Sequence, residues 1–182
     1  MKDIWYLLDC QGQDEQAMVK LCEKHVPQDV LEAAWVLKFQ KLLRYQGEWH
    51  VAEKNLFPGH IMLSVADRED SKSSLEEALA GIFPARSREE RDRCLCAVRR
   101  DSEKKLRELC CNGALIKLSR GRIRDGHVTV TGGPLEGCER SIRKIDRHKR
   151  IAWLELPGGA KGPGAAVLQR ICVGLEVYEK QD

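Results

Sequence analysis

From Asp3 to Cys10 apolar side chains occupy both registers of an extended pattern, Ile4, Tyr6 and Leu8 on one face and Trp5 and Leu7 on the other. This predicts a strand covered on both sides. Met18, Leu21, Cys22 and Val26 then recur at helical spacing, predicting a helix from about Asp14 to His25 that Pro27 ends. Val30 to Phe39 is apolar and rich in strand formers, Gln40 to Gly47 is basic and polar, and the apolar pattern resumes at Trp49, which reads as a hairpin-like excursion. Phe57-Pro58-Gly59-His60 leads into Ile61 to Val65, a short apolar run suited to a central strand. Ser73 and Glu76 have capping-box spacing ahead of Leu75, Ala78, Leu79 and Ile82, so a second helix is expected to about Gly81, with Pro84 as its stop. Arg86 to Arg93 reads as a solvated loop of mixed charge. A strand at 95–98 and a helix opened by Asp101 or Ser102, with Leu106, Leu109 and Cys110 inward, complete this half.

Asn112-Gly113 is a break, and the cation-rich stretch after it reads as a joint. The expected organisation is a first unit at 1–114, a linker at 115–123 and a second unit at 124–182. Strands are expected there near 127–132, 138–146, 149–156, 166–169 and 171–178, with a glycine-proline loop at 157–164. Strands this short and closely spaced suggest a small β-barrel. The class is therefore α+β, helices in the first half and strands in both.

Composition narrows this picture in a few ways. The 182 residues are 42% hydrophobic and 32% charged, which suits a globular chain. No apolar run approaches a membrane span and the N-terminus lacks a signal-peptide core, so a cytoplasmic location is expected. The eight cysteines lack the spacing of zinc loops or a disulfide framework, and are read mainly as reduced, buried small hydrophobes. A phosphate loop, HExxH, GxSxG and a paired-acid pocket are all missing from the sequence, so no enzyme activity and no cofactor are expected. The net charge of +3 is mild, but positive charge concentrates beyond residue 117. Arg140, Arg143, Lys144, Arg147, His148, Lys149 and Arg150 follow a turn at Gly132 to Gly137, in which Gly133, Pro134 and Gly137 are the expected turn formers. A basic patch on adjacent strands attracts phosphates, so these seven residues are the candidate nucleic-acid site.

The pattern Gly126-x-Val128-x-Val130-x-x-Gly133-Pro134-Leu135-x-Gly137, followed by Ile142 and Ile145-Asp146, resembles the KOW motif of NusG-type transcription elongation factors. Trp5-Tyr6 and Phe57-Pro58-Gly59 resemble two signatures of the NusG N-terminal domain, and Lys144 to Arg150 is most similar to the LoaP-type specialised antiterminators. His60 stands where those relatives carry tyrosine, His127 at a common aspartate position and Arg140 at a frequent glycine. The resemblance implies an N-terminal antiparallel sheet flanked by helices (the NGN domain) followed by a small SH3-like β-barrel (the KOW domain). It also implies that Trp5, Tyr6, Phe57, Pro58 and His60 contact the clamp helices of RNA polymerase, and that the basic run holds an RNA hairpin in the nascent transcript to promote terminator readthrough. A monomer is expected, with DNA in the elongation complex, the ribosome or another transcription factor as further partners and no membrane. The alternative implied by the motif is a ribosome-associated KOW protein that binds ribosomal RNA without a polymerase role.

Overall fold

The computed structural model describes residues 3–158 and 165–181. The fold is α+β. The first strand, β1 (Asp3–Asp9), sits inside an antiparallel four-stranded sheet with β2 (Leu31–Trp35), β5 (His60–Ala66) and β6 (Leu95–Ala97), in the order β2-β5-β1-β6. β1 and β5 occupy its centre, which is why both carry apolar residues on both faces. α1 (Glu15–His25) and α2 (Ser71–Ile82) cover one face, burying Met18, Cys22, Leu75 and Leu79 against Tyr6, Leu8, Ile61 and Leu63. α1 starts where the sequence predicts, because the Asp14 carboxylate accepts the Ala17 N–H at 2.9 Å.

Two helical expectations shift. α2 opens at Ser71 behind Asp70, so Ser73 lies inside the helix and is not its cap. The capping box forms instead at Ser87 and Glu90, opening α3 (Arg88–Cys94) within the stretch expected as a loop. The signal there was the serine-glutamate spacing itself; only Cys94 of α3 is buried, so no apolar stripe accompanied it. α4 (Arg100–Leu109) lies over the other face of the sheet with Leu106 and Leu109 inward.

The excursion is a regular hairpin, β3 (Lys38–Tyr45) paired with β4 (Glu48–Asn55) around a Gln46-Gly47 turn in which both residues have positive φ. The basic stretch 40–45, read as polar connection, is strand, because β3 needs only Phe39 and Leu42 inward. The expected joint at 115–123 is also built into sheets. β7 (Leu115–Ile116) runs parallel to β3, and β8 (Ser119–Arg124) is hydrogen-bonded between β9 (His127–Gly132) and β12 (Arg170–Gln181). The inward positions of β8 are Ser119 and Gly121, and at Gly121 a Cβ would lie 2.7 Å from the Thr129 carbonyl oxygen, so the strand has no apolar alternation to show in its sequence.

β10 (Ile142–Asp146) and β11 (Ile151–Glu155) complete a five-stranded sheet in the order β10-β11-β12-β8-β9. Its edge strands, β10 and β9, are not hydrogen-bonded to each other among the described residues, so the five strands form a curled half-barrel sheet. The strand expected near 166–169 is a single 3₁₀ turn, Ala165–Leu168. Of the loop at 157–164, residues 159–164 lie outside the described residues.

The apolar interior does not divide at the joint. One cluster runs from Trp5, Leu7, Phe57, Leu106 and Leu109 through Phe39 and Ile116 to Leu135, Leu154, Ile171, Val173 and Leu175. Polar contacts reinforce this seam. Ser102 donates from α4 to the Pro157 carbonyl at 2.6 Å, Lys105 reaches Cys138 Sγ at 2.8 Å, and the Leu118 N–H donates to Gln40 Oε1 at 3.2 Å.

Candidate nucleic-acid interface

The glycine-proline turn that precedes the basic run is fixed by sterics and by one buried hydroxyl. Gly133 has φ of +98°, and a Cβ there would lie 2.7 Å from Ser119 Cα, so glycine is required on both counts. Ser119 Oγ accepts the Leu135 N–H at 3.1 Å inside the fold, and fully buried Leu135 plugs the turn into the core. Gly137 also takes positive φ, and Glu139 then reaches back so that its Oε1 accepts the Val130 N–H at 3.2 Å. The chain leaves this turn through Arg140 into β10.

β10 and β11 are joined by the four residues Arg147, His148, Lys149 and Arg150. Asp146 makes this turn: its Oδ1 accepts the Lys149 N–H at 2.9 Å, and Arg150 closes it with φ of +51°. That backbone hydrogen bond, then the charges of Lys149 and His148, hold the Asp146 carboxyl below its ordinary value. The acid inside the basic run is thus a structural part of the turn. It does not cancel the patch: among the described residues no salt bridge holds Arg140, Lys144, Arg147, His148 or Lys149, and all are exposed.

Two of the seven predicted contacts have other engagements. Arg143, at an irregularity in the β10–β11 register, pairs with Glu155 at 2.7 Å. Arg150 is half-buried, donates to Glu176 Oε1 at 2.6 Å, and lays its guanidinium over the Trp49 ring of β4 at 3.6 Å from the centroid. It is therefore a pin between the hairpin and the five-stranded sheet, with Glu176 also bound to Arg120 at 3.1 Å. Sequence reasoning gave no sign of this contact, since 100 residues separate its partners. Arg124 is likewise paired, with Glu179 at 3.2 Å.

The five N-terminal positions separate. Trp5 is 4% exposed and Phe57 3%, both in the cluster shared with the five-stranded sheet, while Tyr6 is buried on the opposite face against α1 and α2. On a central strand successive side chains enter opposite cores, and both cores are covered here, as the doubly apolar pattern of β1 predicts, so Trp5 and Tyr6 lie inside and not on the surface. Pro58 is exposed and His60 partly so, its Nδ1 lying 3.0 Å from the Pro58 carbonyl. Glu15 holds the loop, accepting from the Gly59 N–H at 2.9 Å and Asn55 Nδ2 at 3.0 Å. Those bonds, the Gly59 one foremost, keep the Glu15 carboxyl below its ordinary value.

Trp5 organises a polar cleft of its own. Its indole donates to Asp3 at 3.1 Å, meets Trp35 edge-on at 5.0 Å, and lies under the Arg107 guanidinium at 4.2 Å. Burial dominates the cysteines: it pushes the Cys10, Cys22 and Cys110 thiols up to about 12, which leaves them unreactive at neutral pH. Among the described residues no group of His, Cys, Asp and Glu has the arrangement to hold a metal ion, and no helix is long and apolar enough to cross a membrane. No family model matches the chain, and no curated protein matches it either.

Proposed function

We propose that this chain is a transcription antitermination factor of the NusG type and of the LoaP kind, which holds a leader RNA hairpin through its five-stranded sheet and RNA polymerase through its N-terminal half. The observation that carries the reading is the β10–β11 turn, where Arg147, His148 and Lys149 are exposed and unbridged, with exposed Lys144 on the strand leading into it and Arg140 at that strand's other end. A run of cations held on a rigid turn concentrates positive potential where a phosphate backbone can release counterions against it. The four-stranded antiparallel sheet with flanking helices, ahead of a small β-unit carrying the Gly133 and Gly137 turn, is the order of parts that the family resemblance implies. In this reading the polymerase contact falls on the surface around Pro58 and His60, with Trp5 and Phe57 supporting it from beneath. The chain contributes binding and bridging, with no covalent chemistry.

The test is transcription by purified polymerase across an intrinsic terminator, with and without an upstream leader hairpin. Readthrough that needs both this protein and the leader is the expected result; readthrough unaffected by the protein overturns the proposal. The triple variant Lys144→Ala, Arg147→Ala, Lys149→Ala is expected to fold normally and to bind RNA more weakly. Its log–log salt dependence should be shallower by about 2 to 3, close to one for each phosphate that is no longer neutralised. Affinity and salt slope equal to wild type, measured by anisotropy, would remove the basic turn from the interface.

A further inference from the structure

We infer that Trp49, at the tip of the β3–β4 hairpin, is a base-stacking platform, so that the hairpin and the β10–β11 turn bind RNA as one surface. The inference rests on the nucleic-acid reading of the basic turn and adds to it a second element, from the other half of the chain, with a different chemistry. Trp49 is 41% exposed although it packs against Arg150, so one side of the indole is covered by the guanidinium while the ring keeps accessible surface. A half-buried arginine bonded to Glu176 fixes that ring, and a fixed indole loses little freedom when a base stacks on it.

The surroundings are those that unpaired RNA requires. Arg44 pairs with Trp49 across the hairpin and is exposed, and Val51, 55% exposed, shares the same face. Among the described residues Arg44 is in no salt bridge, whereas Lys38 at the hairpin base is matched by Glu53 at 3.9 Å. Toward its tip the hairpin thus combines the unbridged Arg44 with an aromatic plane, next to a turn with further unbridged cations. Proteins grip single-stranded nucleic acid with this pairing of charge and stacking surface, and structured RNA offers its unpaired bases in loops and bulges. Tyr45, though 64% exposed, lies on the opposite face of the hairpin against His50 and belongs to no such patch.

The full chain is to be titrated with two fluorescent RNAs, a hairpin with a uridine loop and a blunt duplex of the same stem. Trp49→Leu keeps apolar bulk without a flat ring and is expected to weaken loop binding about tenfold, within the range for one stacked base, leaving duplex binding within twofold. Trp49→Phe should fall between, and Tyr45→Ala should bind both RNAs as wild type does. Indole quenching by the loop RNA should disappear in Trp49→Phe. Equal losses on both RNAs would show that Trp49 only positions the basic turn and would overturn the stacking role, as would loop binding by Trp49→Leu equal to wild type. If Trp49→Leu changes nothing while the triple alanine variant weakens both RNAs, this inference fails alone; if neither variant changes anything, the nucleic-acid reading fails with it.

Discussion

Gly174→Val is expected to lower the stability of the whole chain by about 3 kcal/mol, and Gly174→Ala by somewhat less. The residue lies in β12 opposite Ile151, in the middle of the five-stranded sheet. Its α-carbon backs directly onto β3: an added Cβ would fall inside the van der Waals envelope of the Gln40 carbonyl oxygen, 3.1 Å from the Gln40 carbonyl carbon and 2.8 Å from Leu118 Cδ1. A flexible side chain could swing aside, but a carbonyl in a paired strand cannot. β12 must therefore move away from β3, opening the shared cluster around Val173 and Leu175, which are fully buried. Urea unfolding gives the stability change, and hydrogen exchange should show early opening of β3 and β12 in the alanine variant. A valine variant that unfolds at the wild-type urea concentration would mean that the two strands do not approach this closely.

Arg107→Leu is expected to cost about 2 kcal/mol at neutral pH and to flatten the response to acid. Arg107 bonds Asp3 at 2.6 Å and Glu103 at 3.0 Å while stacking on Trp5. Glu103 is 6% exposed and its second oxygen is already buried without a partner, so without the guanidinium an anion is left in the core. Because the arginine is about one-third exposed and solvent screens it, the cost stays below that of breaking a fully buried pair. In the wild type, burial pushes the Asp3 carboxyl up, but the Ser64 hydroxyl and Arg107 outweigh it and hold it below 3.8. A depressed folded-state value means stability that is present above 3.8 and is lost as the pH falls through the lower folded value. In the variant Asp3 loses the arginine's share of that depression and keeps the Ser64 hydrogen bond, so less stability should be lost on acidification than in the wild type. Denaturation curves from neutral pH to about pH 2 test this, and parallel pH profiles for the two proteins would refute it.

The sequence was most legible where one residue both encodes and completes a structure. Gly133, Gly137 and Pro134 announce a turn that sterics then enforce, and the doubly apolar β1 and β5 mark the centre of a sheet. It was least legible where the fold fills inward positions with small or polar groups. β8 passes for a basic joint because Ser119 and Gly121 face in, and α3 passes for a loop because Cys94 alone is buried. The candidate site divides in the same way. The exposed cations of the β10–β11 turn follow from a local run, whereas the engagement of Arg150 by Trp49 and Glu176 depends on three distant strands meeting. Trp5, Tyr6 and Phe57 pass for surface anchors for a related reason, since aromatic residues suit an interface and a core equally well and only the second layer of packing separates the two.

The uninterrupted apolar cluster beneath both sheets makes the molecule a caliper. Two modules on a flexible tether meet their targets independently, and the tether's length sets how strongly one event favours the other. Here no tether intervenes, for residues 115–116 and 119–124 are paired into the sheets they connect. If the proposed function holds, a ligand on the basic turn is carried at a set offset from β1, and a target presented at any other spacing engages one jaw only.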